Sequence, residues 1–216
     1  MKKVFLLLSI TIFGCYFYPI YGQSGNDGFH QHTGFYLSMS IGPVFGRING
    51  EAISPDKYFF DFSGGTGAQF DFKIGGAIQE NLILHAVIIS NSTAGPKYSS
   101  SGEYVSMSDD ISINEVMIIG GGLTYYLMPK NFFLSGSVGI GHFSLIDNKN
   151  NNLNITSDNG VSVQLKFGKE WWVSKNWGLG VALTYGKTSV NNRPSSGIEE
   201  KLNSNKLGVV FNATFN

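Results

Sequence analysis

Two residues in this sequence have the types and the spacing of a nucleophile and its general base. His142 and Ser144 stand two positions apart. In an extended strand, residues i and i+2 point to the same face, so the imidazole lies within reach of the hydroxyl and can take its proton. A third, acidic member is missing unless Asp147 or Asp158 serves. The pattern allows an esterase as one hypothesis and two polar residues at a strand end as the other.

A second pair, His30 and His32, has a spacing that can bind a metal ion. No third ligand follows nearby, so we predict that the pair binds no metal and that the chain needs no cofactor. The surrounding segment, residues 23–33, is polar and rich in glycine. We therefore interpret it as a flexible N-terminal arm.

The type of secondary structure in this chain is clearest between Val161 and Leu183. Two runs alternate apolar residues with polar or small ones, and a turn at residues 173–176 separates them. Such a hairpin, apolar outside and polar or small inside, is what a pair of lipid-facing strands requires. The apolar face comprises Val161, Val163, Leu165 and Phe167, then Trp177, Leu179, Val181, Leu183 and Tyr185.

Aromatic residues lie at the ends of this hairpin. Trp171, Trp172 and Trp177 flank the turn, and Tyr185 ends the second apolar face. Tryptophan and tyrosine are enriched where a membrane meets water, because one side of the ring system is apolar and the other can hydrogen-bond. We predict that these four residues form part of a membrane-interface girdle rather than a carbohydrate platform.

Composition limits the remaining possibilities. The 216 residues suit one domain, and the 28 glycines favour many strands and tight turns. Fifteen basic residues balance fifteen acidic ones, so there is no electrostatic reason to expect nucleic acid as a partner.

The N-terminus has the features of an export signal. Lys2 and Lys3 precede a short apolar run, residues 4–13, and cleavage after Gly22 makes residues 1–22 a signal peptide. Cys15 raises a lipoprotein alternative, which the bulky Phe13 disfavours. After cleavage at Gly22 the mature chain contains no cysteine, so disulfides cannot stabilise it.

The same alternation recurs along the chain and predicts an all-β fold. Residues 34–216 are predicted to form an eight-stranded antiparallel up-and-down transmembrane β-barrel. A lipocalin-like soluble barrel is the structural alternative, but it needs the opposite, apolar interior. Pro43 is expected to end regular pairing or to mark a bulge. The predicted strands are Phe35–Gly42, Gly67–Ile78, Leu82–Ser90, Ile111–Leu127, Phe132–Ser144, the two strands of the hairpin above, and Asn205–Phe215.

Long and short connections alternate between these strands. In bacterial barrels the short turns are periplasmic and the long loops extracellular, so both termini are expected in the periplasm and the protein in the outer membrane. The four predicted extracellular loops are Arg47–Phe62, Asn91–Asp110, Leu145–Asn159 and Ser189–Ser204.

Charged residues recur within the predicted strands. A charge facing lipid is costly, whereas the interior of an eight-stranded barrel is just wide enough to be filled by side chains. Facing is ambiguous in the strands at 82–90 and 111–127, because both of their alternating sets are largely apolar, but we expect Glu115 inside. The predicted lumen charges are Asp71, Lys73, Glu115, Lys166, Glu170 and Lys206. We expect them to form buried pairs that plug the lumen rather than an ion path.

With these features the sequence resembles the small outer-membrane β-barrel proteins of Gram-negative bacteria, such as the OmpA and OmpX types. The resemblance is carried by residues 122–141, 168–183 and 207–215. It implies outer-membrane lipids and lipopolysaccharide as partners, and an assembly signal at Phe211 and Phe215 that the barrel-assembly machinery reads. Asn216 departs from the usual terminal aromatic residue.

The His142/Ser144 pair resembles the His-x-Ser pair of the outer-membrane lipid A deacylases. The asparagine that follows the serine in those enzymes is Leu145 here, and no glutamate lies between Ser144 and Gly168. We therefore predict a non-enzymatic protein that is structural or binds an extracellular ligand through its four loops. A deacylase-like esterase and a narrow channel are the alternatives.

Overall fold

The computed structural model describes residues 31–53, 58–100, 102–149, 154–194 and 197–216. The predicted signal peptide and residues 23–30 of the predicted arm lie outside these ranges. In the described residues, twelve antiparallel strands form one sheet. The strands are β1 (Phe35–Ile53), β2 (Tyr58–Ser63), β3 (Thr66–Gln79), β4 (Leu82–Ala94), β5 (Lys97–Ser99), β6 (Val105–Ser106), β7 (Ile111–Leu127), β8 (Phe132–Asp147), β9 (Asn154–Thr156), β10 (Gly160–Trp172), β11 (Trp177–Asn192) and β12 (Glu199–Phe215).

Eight of these strands close into a barrel. β1, β3, β4, β7, β8, β10, β11 and β12 pair in chain order, and β12 returns to pair with β1. The closing register runs from Leu37 opposite Phe215 to Ile53 opposite Glu199. Closure leaves no unpaired sheet edge within the barrel wall, as lipid requires. The predicted eight-stranded antiparallel barrel is confirmed.

The two ends of the barrel differ in their connections. At one end, which we call the turn end, residues 80–81, 128–131 and 173–176 join neighbouring strands, and both chain termini of the barrel lie there. At the other, the loop end, four longer connections join the strands. Among the described residues, no helix is long and apolar enough to cross a membrane.

The loop end contains more β-structure than predicted. β1 continues to Ile53 and β12 begins at Glu199, so their ladder extends through two predicted loops. β2, β5 and β6 add a small sheet beside β1, and β9 pairs with β8. The predicted bounds of the four long loops were therefore too wide. Backbone pairing needs no hydrophobic alternation, so the pattern marks only the part of each strand that faces lipid.

Pro43 lies within β1 rather than at its end. On β12, Ile41 pairs with Phe211 and Val44 with Gly208, so the register is the same on both sides of the proline. On the other side, β1 pairs with β3 only as far as Pro43, opposite Ala68. The expected end of regular pairing at Pro43 is therefore found on the β3 side and not on the β12 side.

A bulge in β7 explains why its facing was ambiguous from the sequence. Ile118 and Ile119 both lie opposite Ile88 of β4, and both are exposed on the outer face. Before this point the odd-numbered residues of β7 point inward, including Glu115; after it the even-numbered ones do, including Thr124. One extra residue thus exchanges the two faces within a single strand.

The outer wall is covered by exposed apolar side chains. Leu183 and Leu207, for example, are 62% and 64% exposed, and similar residues occur on every barrel strand. A continuous apolar surface of this extent is stable only when lipid covers it. The same strands turn small and polar side chains inward, among them Ser38, Ser40, Ser135, Ser162, Thr184 and Thr214.

Candidate functional site

An ion pair occupies the centre of the lumen. Asp71 on β3 and Lys166 on β10 are 0% and 2% exposed, and the lysine Nζ lies 2.7 and 2.9 Å from the two carboxylate oxygens. Lys166 also donates to Ser40 Oγ at 2.7 Å, and Gln69 Nε2 donates to Asp71 at 3.3 Å. These contacts join strands on opposite sides of the barrel.

The neighbouring charges extend this network toward the turn end. Lys73 Nζ donates to Ser135 Oγ at 2.7 Å. Glu170 Oε1 accepts a hydrogen bond from Thr214 Oγ1 at 2.7 Å and one from Asn212 Nδ2. Both charged side chains are therefore held by hydroxyl or amide groups of other strands.

A second polar layer lies nearer the loop end. Ser204 Oγ donates to Glu115 Oε1 at 2.7 Å, and Lys206 Nζ lies 3.7 Å from Glu115 Oε2. Lys206 also reaches Thr93 Oγ1 at 3.2 Å. All six charges predicted for the lumen thus lie inside the barrel, in two layers.

Apolar side chains fill the lumen above and below these layers. Since side chains occupy the interior, the geometry favours a structural role for the charges over an ion path. The cluster nearer the turn end comprises Tyr36, Ile83, Tyr126, Phe133, Ala182 and Val210, and the one nearer the loop end Ile48, Ile113, Phe143, Val190 and Leu202.

His32 closes the turn end of the lumen. It is fully buried, and its ring stacks on Tyr126 with the centroids 3.4 Å apart. Nε2 lies 2.8 Å from Asn131 Oδ1, and Nδ1 contacts Asn216 Nδ2. The backbone of His32 also bonds to Asn81 in both directions, at 3.0 and 3.1 Å. The histidine therefore connects two turns and the C-terminal residue.

This arrangement corrects the prediction for the end of the arm. We expected His32 to be solvated, but it is fully buried and both of its ring nitrogens have hydrogen-bond partners inside the barrel mouth. Its partners Asn81 and Asn131 both have a positive backbone φ, 63° and 54°, which asparagine adopts more readily than most residues. His30 lies outside the described residues, and in those described no group of three His, Cys, Asp or Glu side chains is placed to hold a metal.

Replacing His32 should loosen the turn end locally. His32→Ala removes two side-chain hydrogen bonds and one aromatic stack, so we expect a local loss of about 1–3 kcal/mol. Hydrogen exchange should become at least about tenfold faster at the amides of Asn81 and Asn216. The neighbouring, exposed Gln31 offers a matched control. Unchanged exchange in His32→Ala, or an equal change in Gln31→Ala, would contradict this role.

The structure divides the predicted aromatic girdle between two faces. Trp171 and Trp177 are exposed on the outer wall at the turn end, and Tyr185 lies eight residues further along β11, toward the loop end. Lys169 Nζ sits 5.0 Å from the Phe132 ring and 5.4 Å from that of Trp171, in the same outer group. Trp172 instead lies beside His32, with ring centroids 4.9 Å apart. Its place in the outer girdle was a wrong prediction, because successive strand residues point to opposite faces.

The predicted assembly signal lies on the outer face of β12. Phe211 is exposed. The Phe215 ring packs edge-on against the rings of Trp177 and Phe35, with centroid distances of 5.4 and 6.3 Å. The backbone amide of Asn216 donates to the Asn176 carbonyl at 3.0 Å. The residue after Phe215 is therefore hydrogen-bonded to the turn at residues 173–176.

His142 and Ser144 share the outer face of β8, as the spacing predicts. Ser144 is buried, since β9 covers it through the pair Ser144–Thr156. Asp158, one of the two candidates for a third catalytic member, accepts the amide of Arg193 instead. The esterase alternative gains no support from these contacts.

A row of aromatic rings lines the loop-end mouth. Tyr58, Phe60 and Phe62 of β2 point inward, and Tyr98 of β5 continues the row, with successive centroids 5.3 to 6.2 Å apart. Between them, Phe59 points outward and is 61% exposed. Sequence reasoning missed this feature, although the run Tyr58-Phe59-Phe60 in a predicted loop was its signal.

These features define the class of protein. A closed eight-stranded barrel with an apolar outer belt and a filled polar lumen is an integral outer-membrane β-barrel. No family model matches the sequence. A comparison with curated proteins also found no match.

Solved structures share the fold at low sequence identity. Neisserial surface protein A is 12% identical, with a TM-score of 0.50 over 85% of this chain and 97% of its own. OprG from Pseudomonas aeruginosa is 12% identical, with a TM-score of 0.48 over 88% and 100%. AlkL, solved in lipid bilayers, is 14% identical, with a TM-score of 0.46 over 92% and 95%. At 12% identity and a TM-score of 0.50, the similarity to Neisserial surface protein A shows the fold alone.

Proposed function

We propose that the chain is a non-enzymatic outer-membrane protein that binds an extracellular partner at its loop end. In this proposal the loop end faces outward and the turn end, with both termini of the barrel, faces the periplasm. The filled lumen then serves as a rigid core and not as a route for solute.

One observation carries the proposal: apolar side chains are exposed beyond the lipid-facing belt. Ile53, Phe59 and Val105 are 53%, 61% and 68% exposed. Ile53 and Phe59 lie on the outward face of the paired strands β1 and β2, whereas Val105 of β6 pairs with Tyr98 and lies on the inward face. The outward surface is therefore ordered before a partner arrives. Exposed apolar groups on an ordered surface above a membrane are typical of protein–protein contact sites.

Specific contacts hold this surface in place. Tyr104 Oη donates to Asp61 Oδ2 at 2.7 Å, and Arg47 Nε lies 3.6 Å from the same oxygen. These bonds fasten the segment between β5 and β6 to β2 and β1. A pre-ordered binding surface loses less conformational entropy when a partner docks.

The test uses cells that display the protein. Retention of these cells on surfaces coated with serum proteins should exceed that of cells without it. Phe59→Ser with Ile53→Ser should lower the excess about tenfold, since exposed apolar anchors dominate such contacts. Val173→Ser, an equally exposed apolar residue at the turn end, should have no effect. Retention equal to that of cells lacking the protein would refute the binding proposal.

A further inference from the structure

Two buried polar atoms on neighbouring barrel strands have no hydrogen-bond partner among the described residues. They are Oγ of Ser137 on β8 and Oε1 of Gln164 on β10. The two residues are 7% and 4% exposed, and they lie directly opposite each other in the ladder between these strands. A buried polar atom without a hydrogen bond is costly, so both atoms need a partner in the folded protein.

A glycine leaves space beside these atoms. Gly186 on β11 is the register partner of Gln164, and it faces the lumen because Thr184, two residues earlier, does so. A Cβ atom added to Gly186 would have one heavy atom within 4 Å outside its chain neighbours, the Val163 carbonyl oxygen at 4.0 Å. In the described part of the chain, Gly186 therefore borders open space rather than packed atoms.

This space lies between the two charged layers of the lumen. Two residues before Gly186, Thr184 Oγ1 donates to Gln69 Oε1 at 2.9 Å, and Gln69 belongs to the network of the central ion pair. On β12, the register partner of Gly186 is Lys206, which belongs to the layer nearer the loop end with Glu115. The unpartnered atoms thus lie where one hydrogen-bonded network ends and the other begins.

We propose that a buried water molecule binds in this space as a structural ligand. It donates a hydrogen bond to Gln164 Oε1 and forms a second one with the Ser137 hydroxyl, which can donate or accept. Buried waters typically make about three hydrogen bonds to polar groups that otherwise have no partner. The water continues the polar contacts of the lumen across the layer between the charges.

An ion fits these surroundings less well than water does. Lys206, opposite Gly186, carries a positive charge that repels a cation. Gln164 Oε1 only accepts hydrogen bonds, so it offers an anion no donor. A water molecule both donates and accepts, as this pair of atoms requires.

The first experiment detects the water by NMR of the purified mature chain in deuterated detergent. We expect dipolar cross-peaks between a water resonance and both the Gln164 side-chain amide and the Gly186 α protons. In a rotating-frame spectrum these peaks have the opposite sign to exchange peaks, so exchange with the Ser137 hydroxyl is distinguished from a bound water. The α protons of the outward-facing Gly136 are the control and should show no such peak. Absence of the peak at either Gln164 or Gly186 would overturn the proposal.

Substitution of Gly186 gives a second test, in which the sign of the effect decides. Gly186→Ala fits without a steric clash but displaces the water, so the equilibrium constant for unfolding in urea should rise about tenfold. Gly186→Ser places a hydroxyl beside Gln164 instead of the water and should be close to the wild type in stability. Gly136→Ala is the matched control, because its Cβ meets only Leu165 Cδ2 at 3.7 Å, and it should not destabilise the protein.

A dry space predicts the opposite sign. The methyl group of Gly186→Ala would then fill it, and the variant would be at least as stable as the wild type. That result would overturn the proposal, and so would an equal loss of stability in Gly186→Ser and Gly186→Ala. Heat-modifiable gel migration shows that each variant is folded. Neither experiment involves an extracellular partner, so both outcomes are independent of the cell-retention test above.

Discussion

Asp71→Asn is expected to lower the free energy of unfolding by about 3 kcal/mol, because it leaves the buried ammonium of Lys166 without its counter-charge. The substitution keeps the size and shape of the side chain. Lys166 is almost completely buried and its Nζ contacts both Asp71 oxygens, so water cannot replace the lost charge. Urea unfolding in lipid vesicles, followed by tryptophan fluorescence and gel migration, measures the change.

Two further variants separate the ion pair from a general effect of lost charge. Glu103→Gln neutralises an exposed acid at the loop end and should leave stability unchanged. The double variant Asp71→Asn with Lys166→Met removes both charges and should be more stable than Asp71→Asn alone. A double variant that is no more stable than the single one would show that the pair is not the source of the loss.

Leu183→Arg is expected to cost about 2–4 kcal/mol of stability in the membrane. Leu183 is 62% exposed at the middle of β11, and its register partners on either side, Phe167 and Val209, are also apolar and exposed. An arginine there is placed in hydrocarbon with no partner. Both the amount of protein in the membrane fraction and its unfolding in vesicles should fall.

The same strand supplies a matched control. Asn191 lies on the same outer face of β11 but beyond the apolar belt, so Asn191→Arg should be tolerated. Leu183→Ala reports the loss of the leucine without the added charge. If Leu183→Arg and Asn191→Arg are equally stable, lipid does not cover the middle of this wall.

The alternation of side chains was sufficient to predict the barrel, because facing in a strand follows parity. The hairpin at residues 161–183 and the strands carrying Asp71 and Lys206 could be assigned an inside and an outside from the sequence. This pattern is easy to recognise in the sequence, because lipid requires every outward position in the belt to be apolar. The fold class and the inward position of the charges follow from that single requirement.

The tertiary structure alone decided which partner each inward side chain meets. Lys166 bonds to Asp71, 95 positions away in the chain, and Lys206 pairs with Glu115. Parity gives a side chain its face but not its height, which depends on strand tilt and on the register at each turn. The bulge at Ile118 shows the limit of parity itself, because one inserted residue reversed the faces of β7.

Features outside the lipid belt were the least predictable. His32 was assigned to a solvated arm and Trp172 to the outer girdle, yet the two side chains meet inside the turn-end mouth. The strands at the loop end continue through predicted loops, where β12 pairs with both β1 and β11. Outside the hydrocarbon layer, outward-facing positions need not be apolar, so alternation no longer reports the face of a side chain. There the sequence by itself determined which chemical groups are available. Packing and strand register in the tertiary structure decided which contacts those groups form.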